Sequence, residues 1–277
     1  MAIKAIAFDL DGTLLDSDKR IRPETIDAIR EVRARGLAII LVTGRHHVST
    51  RAYHHQLGLE TPAICCNGTY LYDFKAENAF STNPLLQEEA EHLLRLVRKH
   101  EIASAKVFTA DAMTYEVPDK VMLRFIEWGK TLPSELRPNI QQVDDFATLL
   151  AGKPTVWKFI VAHPTPDAMQ ALEQDIDHEL GLSCEWDDLE SIDITRAGNS
   201  KGSKLVEWGR MNGIAPSEII AFGDNNNDTS MFRAVGLGFA MGNSADHVKA
   251  VAHKVTDGDN NSNAIAKAVR QSIMPYL

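Results

Sequence analysis

The sequence predicts an α/β protein, a parallel-sheet core interrupted by an inserted α+β segment, and three observations carry that prediction. Near the N-terminus two wholly apolar runs, Ile3 to Phe8 and Leu37 to Val42, flank an amphipathic stretch of helical period. Strand, crossover helix and second buried strand make a βαβ unit, which implies parallel pairing with both sheet faces covered. Each early apolar run also ends in polar or glycine residues: Asp9-Leu10-Asp11-Gly12-Thr13, Thr43-Gly44-Arg45 and Asn67-Gly68. Finally, the texture changes near Asn83 and reverts after Ile192. We therefore expect a core from 1–82 and 193–277, with 83–192 as an inserted second domain.

The elements follow in order. The run ending at Phe8 suits a buried strand, broken by Gly12. Pro23 opens a helix in which Ile26, Ile29 and Val32 recur at helical spacing until Gly36 stops it. The strand Leu37–Val42 comes next, then Ala63–Cys66, and Tyr70–Asp73 reads as a returning hairpin arm. In the insertion, Leu86, Ala90, Leu93, Leu94 and Val97 mark a helix, and Met169, Leu172, Ile176 and Leu180 another. Strands are expected at Lys106–Thr109, Met113–Val117, Val156–Val161, Cys184–Trp186 and Ser191–Ile194, in a sheet with one covered face. After it, Lys201-Gly202 opens a helix, and Ile219–Phe222 is a buried strand. Short strands at Leu237–Ala240 and Lys254-Val255 precede a helix from about Asn263 to Arg270.

Composition narrows the function. The 277 residues include 29 Lys and Arg against 38 Asp and Glu, a net charge of -9, which gives no electrostatic footprint for nucleic acid or anionic membrane. An anionic substrate has to be captured locally. Three cysteines, two adjacent at Cys65-Cys66, form neither a disulfide framework nor a zinc pattern. Met1-Ala2-Ile3-Lys4 lacks a signal peptide's basic start, and no apolar run is long enough to span a membrane. The reading is a reduced, cytoplasmic enzyme whose oligomeric state the sequence leaves open.

Several stretches carry potential chemistry. If strand geometry persists through Leu10, Asp9 and Asp11 point to one side, and two such carboxylates call for a divalent cation. A plain Asp-Gly turn would explain the same residues. Gly223-Asp224-Asn225-Asn226-Asn227-Asp228 is a second acidic loop at a strand end, able to offer a metal ligand and amide donors, or to be a solvated turn. Thr43-Gly44 at a helix start suits a phosphate, though an N-capping Thr would look alike. Lys201 near a helix N-terminus is electrostatically misplaced unless an anion intervenes; otherwise it reads as a surface lysine. His46, His47, His54 and His55 are expected on solvent or helix surfaces, and Trp128, Trp157 and Trp186 in the core rather than stacked on a planar substrate.

Taken together and in order, Asp9-Leu10-Asp11-Gly12-Thr13, Thr43-Gly44-Arg45, Lys201-Gly202 and Gly223-Asp224 with Asn227-Asp228 resemble the haloacid dehalogenase superfamily. The insertion, Asn67-Gly68 and Asn199-Ser200-Lys201-Gly202 resemble its Cof-type subgroup, with a Rossmann-like core and an α/β cap. Thr43 to Val48, Pro62 to Asp73 and Val156 to Phe159 are similar to the bacterial pyridoxal phosphate phosphatases. The resemblance implies a phosphatase of small phosphorylated metabolites, pyridoxal 5′-phosphate first and sugar phosphates next. A phosphomutase and a non-catalytic sensor are the rivals. It further implies Asp9 as nucleophile and Asp11 as general acid and base. Asp9, Asp224, the Asp11 carbonyl and, through water, Asp228 would bind Mg²⁺. Thr43, Lys201, Asn227 and the Leu10 and Gly44 N–H groups would hold the phosphoryl oxygens. The segment Asp257-Gly258-Asp259-Asn260-Asn261 departs from the usual ending of the subgroup.

Overall fold

The computed structural model describes residues 3–187 and 190–276, so Met1 and Ala2, part of the segment read above for a signal peptide, lie outside the described residues. The first half of the core begins with strand β1, Ala5–Phe8, fully buried along its length. Helix α1, Pro23–Arg33, starts on the proline and buries Ala28, Ile29 and Val32. Strand β2, Ala38–Leu41, pairs parallel with β1, as the apolar runs require. Helix α2, His47–Gln56, follows. Strands β3, Ala63–Cys65, β4, Tyr70–Asp73, and β5, Asn78–Phe80, form an antiparallel meander, so the expected hairpin arm is present. One parallel bridge, Val42 to Ile64, connects this meander to the end of β2.

The insertion runs through α3, Gln87–Lys99, β6, Ser104–Thr109, β7, Met113–Tyr115, and α4, Lys120–Lys130. It continues through β8, Ile140–Gln142, α5, Phe146–Ala151, β9, Val156–Ala162, and α6, Pro166–Glu179. Strands β10, Ser183–Trp186, and β11, Ser191–Thr195, close it. Its six strands pair in the order β10-β11-β9-β6-β7-β8, antiparallel except for β7 with β8. Alternate residues Val107, Phe159, Val161, Ile192 and Ile194 pack with Leu93, Val97, Phe146, Met169, Leu172 and Ile176 of the helices. This two-residue alternation sets one face against α3, α5 and α6.

The expectation of a single covered face was too simple. Lys106, Phe108 and Lys158 on the alternate positions are also buried. Lys158 pairs with Asp193 at 2.5 Å, and Lys106 with Asp119 at 2.5 Å, while Asp119 also caps α4 through the Met122 N–H. Burial of these cations is tolerated because each has a carboxylate partner. The segment Arg45–Ala52 packs with this unit too: the His46 ring meets Phe108 edge-on, and its Nε2 lies 2.9 Å from the Thr109 carbonyl oxygen.

The core resumes with α7, Lys201–Met211, β12, Ile219–Gly223, α8, Thr229–Ala234, β13, Leu237–Ala240, α9, Asp246–Lys249, β14, Lys254–Val255, and α10, Ala264–Ala268. The sheet order is β14-β13-β12-β1-β2, parallel throughout. Ala5, Ala7, Ile40, Ile219 and Ala221 face Leu205, Trp208 and Met231 on one side. Phe8, Phe222 and Phe239 stack across three neighbouring strands, with centroids 5.1 and 4.7 Å apart. Such burial on both faces is why these strands read as continuous apolar runs. The chain thus divides into two compact units: Met1–Gly44 with Tyr53–Phe80 and Ser200–Leu277, and Arg45–Ala52 with Ser81–Asn199. Among the described residues no helix is long and apolar enough to cross a membrane.

Several side chains sit elsewhere than expected. His46, His47 and His54 are buried rather than at a surface. Burial holds His46 down to about 3, against the opposing hydrogen bond at Thr109, and His47 down to about 2, with His46 and Arg51 adding to the effect. Both rings are neutral. Leu86, counted in the apolar stripe of α3, is exposed, because it stands just before the helix. Trp157 is core, but Trp128 and Trp186 are half-buried; Arg45 lies 5.5 Å over the Trp128 ring, and Trp186 Nε1 donates to Glu173. None of the three cysteines forms a disulfide, and burial pushes the Cys184 thiol up to about 12.

Candidate active site

In a parallel sheet the carboxyl ends of all strands lie at one edge, where α/β proteins bind ligands. That edge carries Asp9 after β1, Thr43 after β2 and Asp224 after β12. The strand ladder hands over directly: the Asp9 N–H donates to the Phe222 carbonyl at 3.0 Å. Asp9 is 4% exposed and accepts a hydrogen bond from Lys201 Nζ at 2.7 Å. Lys201, in the first turn of α7, is 2% exposed and donates equally to Asp228 Oδ1 at 2.6 Å. The surface-lysine reading of Lys201 is therefore wrong: two buried carboxylates hold it inside.

The acidic loop after β12 is built around Asp228. Its Oδ2 accepts the N–H groups of Asp224 and Asn225 at 2.8 and 3.0 Å, which closes the loop and fully buries the carboxylate. Asp224 is oriented by Thr13, whose Oγ1 donates to its Oδ1 at 2.8 Å. Gly12 makes this approach possible. Its φ is +78°, and a Cβ there would stand 2.2 Å from Asp224 Oδ2.

Asp9, Asp224 and Asp228 bring carboxylate oxygens within 4.8 Å of one another. Three carboxylates share one ammonium, so the site is short of positive charge. Burial raises Asp9 well above the carboxylate range, with Asp228 and Asp224 adding repulsion and Lys201 opposing; burial and Asp228 carry Asp224 to about 7. Burial alone would pull Lys201 down, but Asp228 and Asp9 outweigh it and hold the ammonium above the ordinary lysine range. An all-oxygen, net-negative cluster has the donor chemistry to hold a hard divalent cation.

The structure does not bring Asp11 into this cluster. The strand ends at Phe8, so the same-side condition fails: Asp9 turns inward, while the Asp11 carboxylate is 40% exposed and meets Lys19 Nζ at 2.8 Å. Leu10 packs its side chain in the core, and its carbonyl accepts from Thr13 and Leu15. Thr43 is buried, its N–H donating to Ile64, and its carbonyl accepts from the Asn67 N–H at 3.1 Å. Asn227 Nδ2 donates to Asn67 Oδ1 at 3.1 Å, so Asn67 joins the Thr43 and Asn227 stretches. Gly44, half-buried, follows Thr43 directly.

Asn67, Thr13 and Lys19 were not singled out from the sequence as site residues. A signal was present for Asn67, whose φ of +56° is a left-handed conformation that Asn tolerates at a strand end. Thr13 stands inside the motif but gives no sign of its partner, 211 positions away.

The family model of haloacid dehalogenase-like hydrolases matches residues 6–269. The chain belongs to that family. Among its relatives, this haloacid dehalogenase-like hydrolase is 42% identical over 269 residues to the pyridoxal phosphate phosphatase YbhA of Escherichia coli, covering 97% of this chain and 98% of the other. It is 27% identical over 271 residues to the 5-amino-6-(5-phospho-D-ribitylamino)uracil phosphatase YitU of Bacillus subtilis, covering 96% of each. A solved sugar phosphatase of haloacid dehalogenase subclass IIB superposes with a TM-score of 0.81 at 25% identity, over 99% of this chain and 100% of that one. As a member of the family's phosphatase branch, the protein is a phosphoric monoester hydrolase.

Proposed function

We propose that the protein is a cytoplasmic, Mg²⁺-dependent phosphatase that hydrolyses pyridoxal 5′-phosphate through an aspartyl-phosphate. The observation that carries the chemistry is the Asp9 carboxylate, buried at the sheet edge, 2.7 Å from an ammonium and grouped with two further carboxylates. The substrate rests on the 42% identity to a pyridoxal phosphate phosphatase over nearly the whole of both chains.

In this reading an Asp9 oxygen attacks phosphorus and the ester P–O bond breaks. Asp11 gives its proton to the departing alkoxide. Water then attacks the phosphorus of the aspartyl-phosphate, Asp11 takes the proton, and phosphate leaves with Asp9 restored. Lys201 orients Asp9 and carries positive charge toward the transferring group. Thr43, Asn227 and the Leu10 and Gly44 N–H groups donate to the phosphoryl oxygens. Asp9, Asp224, the Asp11 carbonyl and, through water, Asp228 would hold Mg²⁺, which supplies charge neutralisation to the phosphoryl group when bound.

Specificity constants for pyridoxal 5′-phosphate and a set of sugar phosphates, with Mg²⁺ and free phosphate as readout, test the proposal. Pyridoxal phosphate is expected to give the highest value. A sugar phosphate in first place would make the protein a sugar-phosphate phosphatase. Isomerised ester without free phosphate would make it a phosphomutase, and no turnover of any ester a sensor.

A further inference from the structure

The loop that carries Asp11 is anchored by the segment that departs from the subgroup pattern. Residues 12–22 exchange hydrogen bonds with partners between 231 and 245 positions further along the chain, Gly12 and Leu15 accepting and Ser17 and Arg22 donating. Asn243 Nδ2 donates to the Gly12 carbonyl at 3.0 Å and lies 3.5 Å from Asp224 Oδ2. Its Oδ1 accepts from the Asn260 N–H at 3.1 Å, and Asn260 Nδ2 donates to the Leu15 carbonyl at 2.8 Å. Asn261 Oδ1 accepts from the Ser17 N–H at 2.9 Å. An unbroken relay therefore runs from Asp224 through Asn243 and Asn260 to Leu15.

The two carbonyls held by this relay belong to residues next to Asp11. Gly12 is its neighbour, and Leu15 is its partner in a β-bridge. The Asp11 carboxylate pairs with Lys19 of the same loop. The asparagines hold the loop backbone on which Asp11 stands, and with it the position of Asp11 relative to Asp9. Small displacements of a reacting group cost rate steeply.

We propose that Asn243 and Asn260 are positioning residues for the proton transfer: they fix the Asp11 loop against the Asp224 loop without touching the substrate. The inference rests on the role given to Asp11 above. It also assigns a task to the divergent Asp257-Gly258-Asp259-Asn260-Asn261 ending.

Asn260→Asp is the sharpest probe, because it keeps the side-chain shape and puts a negatively charged acceptor where the donor to Leu15 stood. The readout is the single-turnover rate of leaving-group release, which precedes the water attack common to all esters, for two substrates: pyridoxal 5′-phosphate, whose alkoxide needs a proton to leave, and p-nitrophenyl phosphate, whose phenolate does not. Loss of one such contact is expected to lower that rate for pyridoxal phosphate about tenfold. Release of p-nitrophenolate in the same single turnover should be nearly unaffected. Asn243→Ala should show the same split, and amide exchange across residues 11–17 should rise in both variants. Asp11→Asn is the control. If Asp11→Asn shows the split and Asn260→Asp slows both esters equally or neither, the positioning role is overturned. If Asp11→Asn shows no split, the assignment of Asp11 fails and the inference falls with it.

Discussion

Replacing Lys201 by Met takes the one ammonium out of a site where its two partners are almost fully enclosed. Lys201 is 1% exposed in its side chain, Asp9 6% and Asp228 0%, at 2.7 and 2.6 Å. Breaking a buried ion pair by removing one member costs about 3–5 kcal/mol, because the remaining charge has no solvent to turn to. The carboxylates limit that loss by taking up protons, at about 1.4 kcal/mol for each pH unit above the ordinary value. Asp224 already lies near 7 with the lysine in place, and the ordinary aspartate value is 3.8. A folded-state carboxyl raised in this way binds more protons than the unfolded chain, so stability falls as pH rises above 3.8 and through the raised value. The variant should therefore lose about 3–5 kcal/mol at pH 8 and regain about 3 kcal/mol at pH 6 for one proton retained on folding. Urea unfolding at the two pH values, followed by circular dichroism, measures both quantities. An unfolding free energy at pH 8 equal to that of the wild type, or a variant more stable at pH 8 than at pH 6, would refute the reasoning.

His46 makes a second pH-dependent contribution. With its folded value near 3 against 6.5 unfolded, it is neutral in the fold, so its contribution is complete above 6.5 and is lost as pH falls toward 3. About 2 kcal/mol should disappear between pH 8 and pH 5, and His46→Gln should flatten that part of the stability profile in urea titrations; an unchanged profile counts against it. Gly68 has φ +90°, and a Cβ there would lie 2.1 Å from the Ser200 carbonyl oxygen. Gly68→Ala is expected to cost about 1–2 kcal/mol in backbone strain and about 1–3 kcal/mol in overlap, read as a lowered thermal midpoint.

Legibility followed the range of the interactions. The βαβ unit, Pro23 at the start of α1, the hairpin arm at Tyr70–Asp73 and the strand at Leu237–Ala240 depend on neighbours in sequence, and their patterns were readable. The short elements β8 and α5 were missed, since Ile140–Gln142 is largely exposed and Phe146–Ala151 is too brief for a helical period. In the site, Asp9, Asp224 and Lys201 were recognisable by position, but the environment of each comes from far along the chain. Taken without the other motifs Lys201 reads as a surface lysine, because its burial comes from Asp9, 192 positions away, and Asp228, 27 away. His46 likewise owes its burial to Phe108 and Thr109, which no helix-face argument around residue 46 contains. Asp11 parted from Asp9 because the strand stops two residues earlier than the paired-carboxylate reading needed.

The central claim is that Asp9 carries the phosphoryl group. Acid quenching of the enzyme during turnover of pyridoxal 5′-phosphate, followed by borohydride reduction, converts an aspartyl-phosphate to homoserine, which peptide mass mapping locates. Homoserine at position 9, absent without substrate, is the predicted result. Unaltered Asp9 in a sample that is turning over, or homoserine at another aspartate, would contradict the account.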